Sequence, residues 1–321
     1  SRVSRGLGDV YKRQDKIDRG NALLSDSLIR AKYLPPYISA IEAGVGTIMA
    51  SFNSINGLKC HANGYLFNEL LKDELGFDGF VISDWQGIDE IPGDYKSDII
   101  LSINAGIDMI MVPGAVVFGG EHYKTFISLF KEAYNEGLIS DERINDAVRR
   151  ILRIKYRSGL IDKPMADRSL LEKVGGVEHR AIAREAVQKS LVVLKNDNML
   201  PLSKKDNYLV CGSGANDIGK QCGGWTIEWQ GGLGNITLGT TLFEGISEQA
   251  SATLISNGQT NSSFNAAIVV VGENPYTEMQ GDSDSLYLSS IDKQTIANVK
   301  SLNIPYTCLL YTSPSPRDTR E

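Results

Sequence analysis

Cysteine is scarce. The four at positions 60, 211, 222 and 308 contain no C-x-x-C pair and fall far short of a disulfide scaffold, so they indicate neither a structural zinc site nor an oxidising compartment. No run of about 18 apolar residues occurs, which argues against a segment that spans a bilayer. Lys and Arg number 33 against 39 Asp and Glu, for a net charge of −6, and never gather into a block. Nucleic-acid and anionic-membrane binding both need clustered positive charge to displace counterions, so neither partner is expected. The histidines, His61, His122 and His179, share no spacing, and each reads as structural. G-x-S-x-G, H-E-x-x-H and the P-loop are all missing, which removes the common serine-hydrolase, zincin and NTPase readings. What is present is a 321-residue chain with 42% hydrophobic residues, enough for one large or two ordinary globular domains.

The two ends differ from the rest. Residues 1–14 (SRVSRGLGDVYKRQ) and 308–321 (CLLYTSPSPRDTRE) have neither a helical nor a strand period. Both read as artefactual tails, translated adapter sequence, with a native disordered tail as the alternative. Setting them aside removes Arg2, Arg5, Lys12 and Arg13 against Asp9 alone, so the body, 15–307, is more acidic than the whole. With no initiator Met, a leader cannot be judged from this sequence.

Along the body, 23–43 predicts a helix ending at Gly44, followed by the buried strand VGTIMAS (45–51) and a polar loop from Ser51 to Gly57. A helix over 65–75 stops at Gly76, and FDGFVISDW (77–85) is a second buried strand with polar residues only at its C-terminal end. A helix over 95–105, the strand IDMIMVP (107–113) and helices near 122–136 and 141–158 follow. Three β/α units with polar strand C-termini match a segment of a (β/α)8 TIM barrel, whose active site is built on that face, although three strands do not close a barrel. Residues 159–178 read as a Gly- and Pro-punctuated linker. Strands at 190–194, 207–212, 266–272 and 304–310, with a helix near 290–302, imply a second α/β domain over 179–307, built on a parallel sheet covered on both faces.

Asp84 ends the apolar run FVIS and projects from the strand's carboxyl end beside Trp85. That position suits a catalytic carboxylate and equally suits a turn cap. Glu278 lies in the polar loop GENPYTEMQGDSDSL (272–286) directly after the strand AAIVVV, where the competing reading is a solvated acidic loop. Asp282 and Asp284 in that loop lack the ligand spacing of a calcium site, so no metal is expected. Trp225 and Trp229 stand four apart in CGGWTIEWQGG (222–232). Flat indoles in a Gly-rich stretch suit stacking on a sugar ring, with two ordinary core tryptophans as the alternative. CGSGANDIG (211–219) follows a strand but misplaces the third Gly of a dinucleotide loop, and no cofactor is expected.

The segments GTIMASFNSING (46–57), GFDGFVISDWQGID (76–89), AGIDMIMVP (105–113), EHRAIAREAVQKSLVVLKN (178–196), QCGGWTIEWQGG (221–232) and VVVGENPYTEMQGD (269–282) together resemble glycoside hydrolase family 3. The resemblance is closest to the branch of β-glucosidases and exo-1,3-1,4-β-glucanases and runs through nearly all of 15–307. It implies an α/β fold: the C-terminal part of a (β/α)8 barrel (15–158) followed by an (α/β)6 sandwich, both incomplete, with the sugar pocket where the two meet. It implies a retaining β-glycosidase that removes terminal β-D-glucosyl residues from β-glucans or oligosaccharides. Asp84, in S-D-W, matches the family's nucleophile, and Glu278, in Y-T-E-x-x-G-D, matches the acid/base of this branch. Trp85, Trp229 and Trp225 match sugar-contacting aromatics, and Met49 and Phe52 fall where a barrel loop lines the pocket. Phe52 stands where plant relatives carry tyrosine, and Glu90 replaces an arginine that contacts the leaving sugar.

The chemistry fits those roles. A retaining glycosidase needs one ionised carboxylate to attack the anomeric carbon and one carboxylic acid to protonate the departing oxygen, about 5–5.5 Å apart. Residues as distant in sequence as Asp84 and Glu278 reach that separation only by the docking of two domains. By the resemblance, about five β/α units that precede this stretch, with a Lys-His motif and the Asp and Arg that grip the non-reducing sugar, lie outside the chain, as do the last strands of the second sheet. The chain alone is therefore expected to be inactive and to expose strand edges, and the natural protein is expected to be periplasmic or secreted. A non-catalytic carbohydrate-binding protein and an N-acetyl-β-hexosaminidase of the same family are the competing functions.

Overall fold

The computed structural model describes residues 19–114, 122–281 and 287–311. The chain divides into two compact units, Ser1–Glu172 and Lys173–Glu321. The strands of the first are β1 (Asn21–Ala22), β2 (Thr47–Met49), β3 (Ser54–Ile55), β4 (Leu58–Lys59) and β5 (Phe80–Ile82). β2 and β5 run parallel in the register Thr47↔Phe80, Ile48↔Val81 and Met49↔Ile82. Beneath them, Phe67, Leu71, Phe77, Val81 and Ile107 form one buried cluster.

Several elements depart from the sequence reading. The continuous helix expected over 23–43 is a turn at Asp26–Leu28, a wide stretch at Ile29–Tyr33 and α1 (Pro35–Glu42). Two prolines open α1, where a missing N–H is tolerated, and they cannot bond back into the preceding turn. The helix Tyr65–Glu74 is wide throughout, ending with Leu75 N–H donating to Leu70 O. The loop expected over 51–57 contains β3, which turns through Asn56 and Gly57 into the antiparallel β4 and pairs with β1 on its other side.

The strand expected over 107–113 reduces to a single bridge between Ile82 and Met109. Asp108 explains this, because its side chain accepts the Val81 N–H (2.8 Å), a ladder donor that a backbone carbonyl would otherwise take. The helices α2 (Tyr95–Asn104), α3 (Tyr123–Asn135) and α4 (Asp141–Arg157) complete the unit. α2 begins at a reciprocal cap between Asp94 and Ser97, and α4 at Ser140. From α4, Arg150 donates to the carbonyls of Phe77 (2.6 Å) and Gly79 (2.9 Å), fixing the chain as it enters β5.

The second unit is built on a parallel sheet in the order β7–β6–β8–β9, from β6 (Asn207–Cys211), β7 (Ser251–Leu254), β8 (Ala266–Gly272) and β9 (Tyr306–Tyr311). Every residue of β8 is buried. Ala266, Ile268 and Val270 join one cluster and Ala267, Val269 and Val271 another, as the two-residue period of a strand covered on both faces requires. The helices are α5 (Val177–Ser190), α6 (Ile218–Cys222), α7 (Leu242–Ser247) and α8 (Ser290–Ser301). β9 runs to Tyr311, past the boundary expected at 307.

The strand expected over 190–194 does not form. Leu191–Leu194 is exposed, and none of the described strands pairs with it. A β-branched run favours extended backbone, but a strand also needs a neighbour to complete its ladder. α5, just before it, likewise buries no residue.

Candidate active site

Polar side chains gather at the carboxyl ends of the parallel strands in each unit. In the first unit, β2 delivers Met49, Ser51 and Phe52, and β5 delivers Ser83, Asp84 and Trp85. Asp84 is half-buried, whereas Trp85 is 48% exposed and Met49 37% exposed, so both apolar side chains face outward beside the carboxylate's strand end. Asp84 is held by its backbone: the Trp85 N–H donates to Oδ1 (2.7 Å) and the Ser83 hydroxyl donates to the Asp84 carbonyl (2.9 Å). Its own N–H donates to His61 Nε2 (3.1 Å). His61 is fully buried, and burial, then Lys59, push its pKa down to about 3, so the ring is neutral at ordinary pH.

Beside this strand end lies a charged cluster in which the sequence reading singled out Phe52 and Glu90 but not Arg19 or Lys59. The Arg19 guanidinium lies 4.2 Å from the centroid of the Phe52 ring and pairs with Glu90. Lys59 pairs with the same carboxylate (3.0 Å) and donates to the Phe52 carbonyl (3.1 Å). Burial first, and Arg19 second, lower the Lys59 pKa.

In the second unit, the loops after β6 and β8 meet through glycine. A Cβ at Gly224 would lie 2.4 Å from the Tyr276 carbonyl and 2.3 Å from Thr277 Cγ2, so only glycine permits the 222–232 loop to approach the 273–278 loop. The Thr277 N–H donates to Gln230 Oε1 (2.9 Å), and Tyr276 OH donates to Glu273. Trp225 N–H donates to the Trp229 carbonyl (2.9 Å), folding the loop so that both indoles emerge from one turn. Trp225 is 59% exposed and Trp229 half-buried. Trp225 (φ +65°), Ile227 (φ +63°) and Glu278 (φ +47°) adopt left-handed backbone, a costly conformation for such side chains and one that concentrates at functional loops.

The sequence-derived residues thus fall into two half-sites. Met49, Phe52, Asp84 and Trp85 share a strand end in the first unit, and Trp225, Trp229 and Glu278 share a loop pair in the second. Asp282 and Asp284 lie outside the described residues. No cluster of three or more His, Cys, Asp or Glu suited to a metal occurs among the described residues, and no helix among them is long and apolar enough to cross a membrane. In the glycine-rich stretch after β6, Asp217 accepts the N–H groups of Lys220 (2.8 Å) and Gly234 (2.8 Å), so a carboxylate stands at the start of α6. His122 accepts the Lys124 N–H (3.1 Å) and His179 the Gly175 N–H (3.2 Å), both as local structural contacts.

Comparison with known proteins agrees with this division. Residues 14–154 match the glycosyl hydrolase family 3 N-terminal domain, and residues 191–321 match the C-terminal domain of the same family. The chain is 30% identical over 320 residues to a lysosomal β-glucosidase of Dictyostelium discoideum, a match covering 89% of this chain and 38% of that protein. It is 36% identical over 212 residues to a β-xylosidase of Formosa agariphila, covering 63% of this chain and 29% of that protein. A crystal structure of a mutant of the exo-1,3/1,4-β-glucanase ExoP from a Pseudoalteromonas species superposes with a TM-score of 0.80 at 39% identity, covering 92% of this chain and 49% of that one. The chain therefore spans well under half the length of the curated relatives it matches.

Proposed function

Because the chain belongs to glycosyl hydrolase family 3, we propose that the protein carrying it hydrolyses terminal β-D-glucosyl residues from β-glucans or oligosaccharides by double displacement. In this reading Asp84 attacks the anomeric carbon and forms a covalent glycosyl–Asp84 ester, while Glu278 first protonates the departing oxygen and then, as the base, activates the water that releases the sugar. Trp85, Trp225 and Trp229 offer flat apolar faces to pyranose C–H groups, and Met49 and Phe52 line the strand end that carries Asp84. The supporting observation is that each carboxylate stands after a parallel strand with an exposed indole nearby in sequence or on the adjoining loop, Asp84 beside Trp85 in one unit and Glu278 on the loop that meets the 222–232 loop, bearing Trp225, at Gly224 and Gln230 in the other. Export to the periplasm or the cell exterior belongs to the same reading.

The test is mechanism-based labelling of the protein, expressed with whatever coding sequence flanks this stretch, using a 2-deoxy-2-fluoro-β-glucoside. Peptide mapping is expected to place the label on Asp84. Asp84→Ala should abolish hydrolysis of an aryl β-glucoside, whereas Glu278→Ala should retain turnover best on substrates whose leaving groups need no protonation. Wild-type turnover by Asp84→Ala, or a label on another residue, would refute the assignment. Binding of oligosaccharide without any label would indicate a carbohydrate-binding protein instead.

A further inference from the structure

His122 and His179 each serve a backbone N–H within a few residues of themselves, but His61 reaches across 23 positions to the N–H of Asp84. We propose that His61 is a positioning residue for the nucleophile: as the Nδ1–H tautomer, it accepts the Asp84 N–H at Nε2 and locks the turn from which the Asp84 carboxylate projects. The inference rests on the reading of Asp84 as nucleophile.

The tautomer follows from donor and acceptor accounting. A backbone N–H can only donate, so at 3.1 Å the facing Nε2 must present its lone pair, and the ring proton of a neutral histidine then sits on Nδ1. An imidazolium would set N–H against N–H. Nδ1 is buried without a hydrogen bond of normal geometry, and the Ser51 backbone favours the protonated ring less than burial and Lys59 oppose it. The full burial of the ring and its low pKa are consistent with a ring that stays neutral.

The turn is built around this ring. Gly87 N–H donates to the Asp84 carbonyl (3.1 Å), closing the turn, and Gln86 inside it is left-handed (φ +53°). A Cβ at Gly87 would lie 2.2 Å from His61 Nε2, so the close approach of turn and imidazole requires glycine there. Ser83 Oγ and Trp85 N–H hold the carbonyl and carboxylate of Asp84 from within the turn segment, and His61 ties its N–H to a separate element, the short helix Cys60–Ala62. The ring also lies 5.9 Å from that of Phe52, so one side chain connects the pocket wall to the backbone of the attacking residue. An attacking carboxylate is useful only if its backbone is held to a fraction of an ångström, which is the service such a tether performs.

The first test uses this chain as it stands. In a sample with 15N-labelled histidine and backbone, His61 is expected to show a protonated Nδ1, a bare Nε2 and a through-hydrogen-bond coupling between Nε2 and the Asp84 amide nitrogen, unchanged from about pH 5 to about pH 8. A protonated Nε2, or titration near the ordinary histidine value, would overturn the proposal. The second test measures fluoroglucoside labelling. His61→Leu should slow the labelling of Asp84 about 10- to 100-fold with little change in sugar affinity, and His61→Gln, which can place an amide oxygen near the Nε2 position, should stay within about threefold. Labelling of His61→Leu at the unmodified rate would overturn the proposal. If His61→Leu fails to fold, the tautomer and the nitrogen–nitrogen coupling still decide. Absence of labelling in the unmodified protein would count against Asp84 as nucleophile, and the spectra would still report whether His61 holds the turn.

Discussion

Replacing Asp108 with asparagine should destabilise the first unit by about 3 kcal/mol, because it removes the anion from a buried cluster that anchors β5. The Asp108 side chain is fully buried, Lys72 is 4% exposed and Arg143 is 12% exposed, and both cations converge on the same carboxylate oxygen. Burial, ahead of every attractive contact, already lowers the Lys72 pKa, so the ammonium depends on its partner. Without Asp108 the carboxylate that still faces the two cations is Asp146, which is 38% exposed and lies 3.7 Å from Lys72 and 2.8 Å from Arg143, while Lys72 also donates to the Gly106 carbonyl (2.7 Å). Breaking a buried pair costs about 3–5 kcal/mol. The lower end applies because Asp146 compensates in part and asparagine can still accept the Val81 N–H. Urea unfolding followed by Trp85 fluorescence, in a background where Trp225 and Trp229 are phenylalanine, reports on the first unit alone. At a slope of about 2 kcal/mol/M the midpoint should fall by about 1.5 M. A fall below about 0.5 M would refute the reasoning, as would a cycle with Lys72→Met that shows no coupling.

Other consequences are open to direct measurement. Asp98 is 3% exposed with an unpartnered Oδ1, and burial, followed by Asp94 and Asp89, pushes its pKa up to about 7. Since the folded state holds this proton more tightly, stability present below about pH 4 is lost as pH rises through 7, and Asp98→Asn should gain about 1–2 kcal/mol at pH 8 with no gain near pH 3 in denaturation series. Gly224→Ala drives a methyl into the Tyr276 carbonyl and should cost the second unit about 1–3 kcal/mol, with kcat/KM on an aryl glucoside falling at least about tenfold; unchanged kinetics would mean that loop contact does not hold Glu278. Burial raises the thiols of Cys60 and Cys211 to about 12, while Cys222 and Cys308 are exposed, so a disulfide reagent should modify two thiols in the folded chain and four in denaturant.

What could be read from the sequence follows from how locally each feature is encoded. β6 and β8 are apolar runs buried on both faces, so their composition alone marks them. β7, Ser-Ala-Thr-Leu, lies at the sheet edge with alternate residues exposed, and four mixed residues carry no such mark. The run at 190–194 has strand composition without a partner, and 107–113 has it with a side chain occupying a ladder donor; neither circumstance is visible in the run itself. At the candidate site, Asp84 and Glu278 were candidates because each follows an apolar strand, and only the S-D-W and Y-T-E motifs of the resemblance gave them roles. His61 was not, since its connection to Asp84 depends on how the β3–β4 hairpin and the following short helix fold back toward β5.

Phe52 and Glu90 are joined through Arg19, whose guanidinium lies over the ring of the one and pairs with the carboxylate of the other. Phe52 presents a plain aromatic face, and the Arg19 guanidinium covers it at 4.2 Å. Glu90 accepts from both Arg19 and Lys59, and the Lys59 ammonium is also bound to the Phe52 carbonyl. Two cations against one carboxylate leave these three side chains with a surplus positive charge. Glu90→Arg would set three cations together beside Phe52 with no anion among these groups, and the electrostatic cost rises steeply in a half-buried setting. Glu90 is thus intelligible as the counterion that lets Arg19 and Lys59 stand beside Phe52.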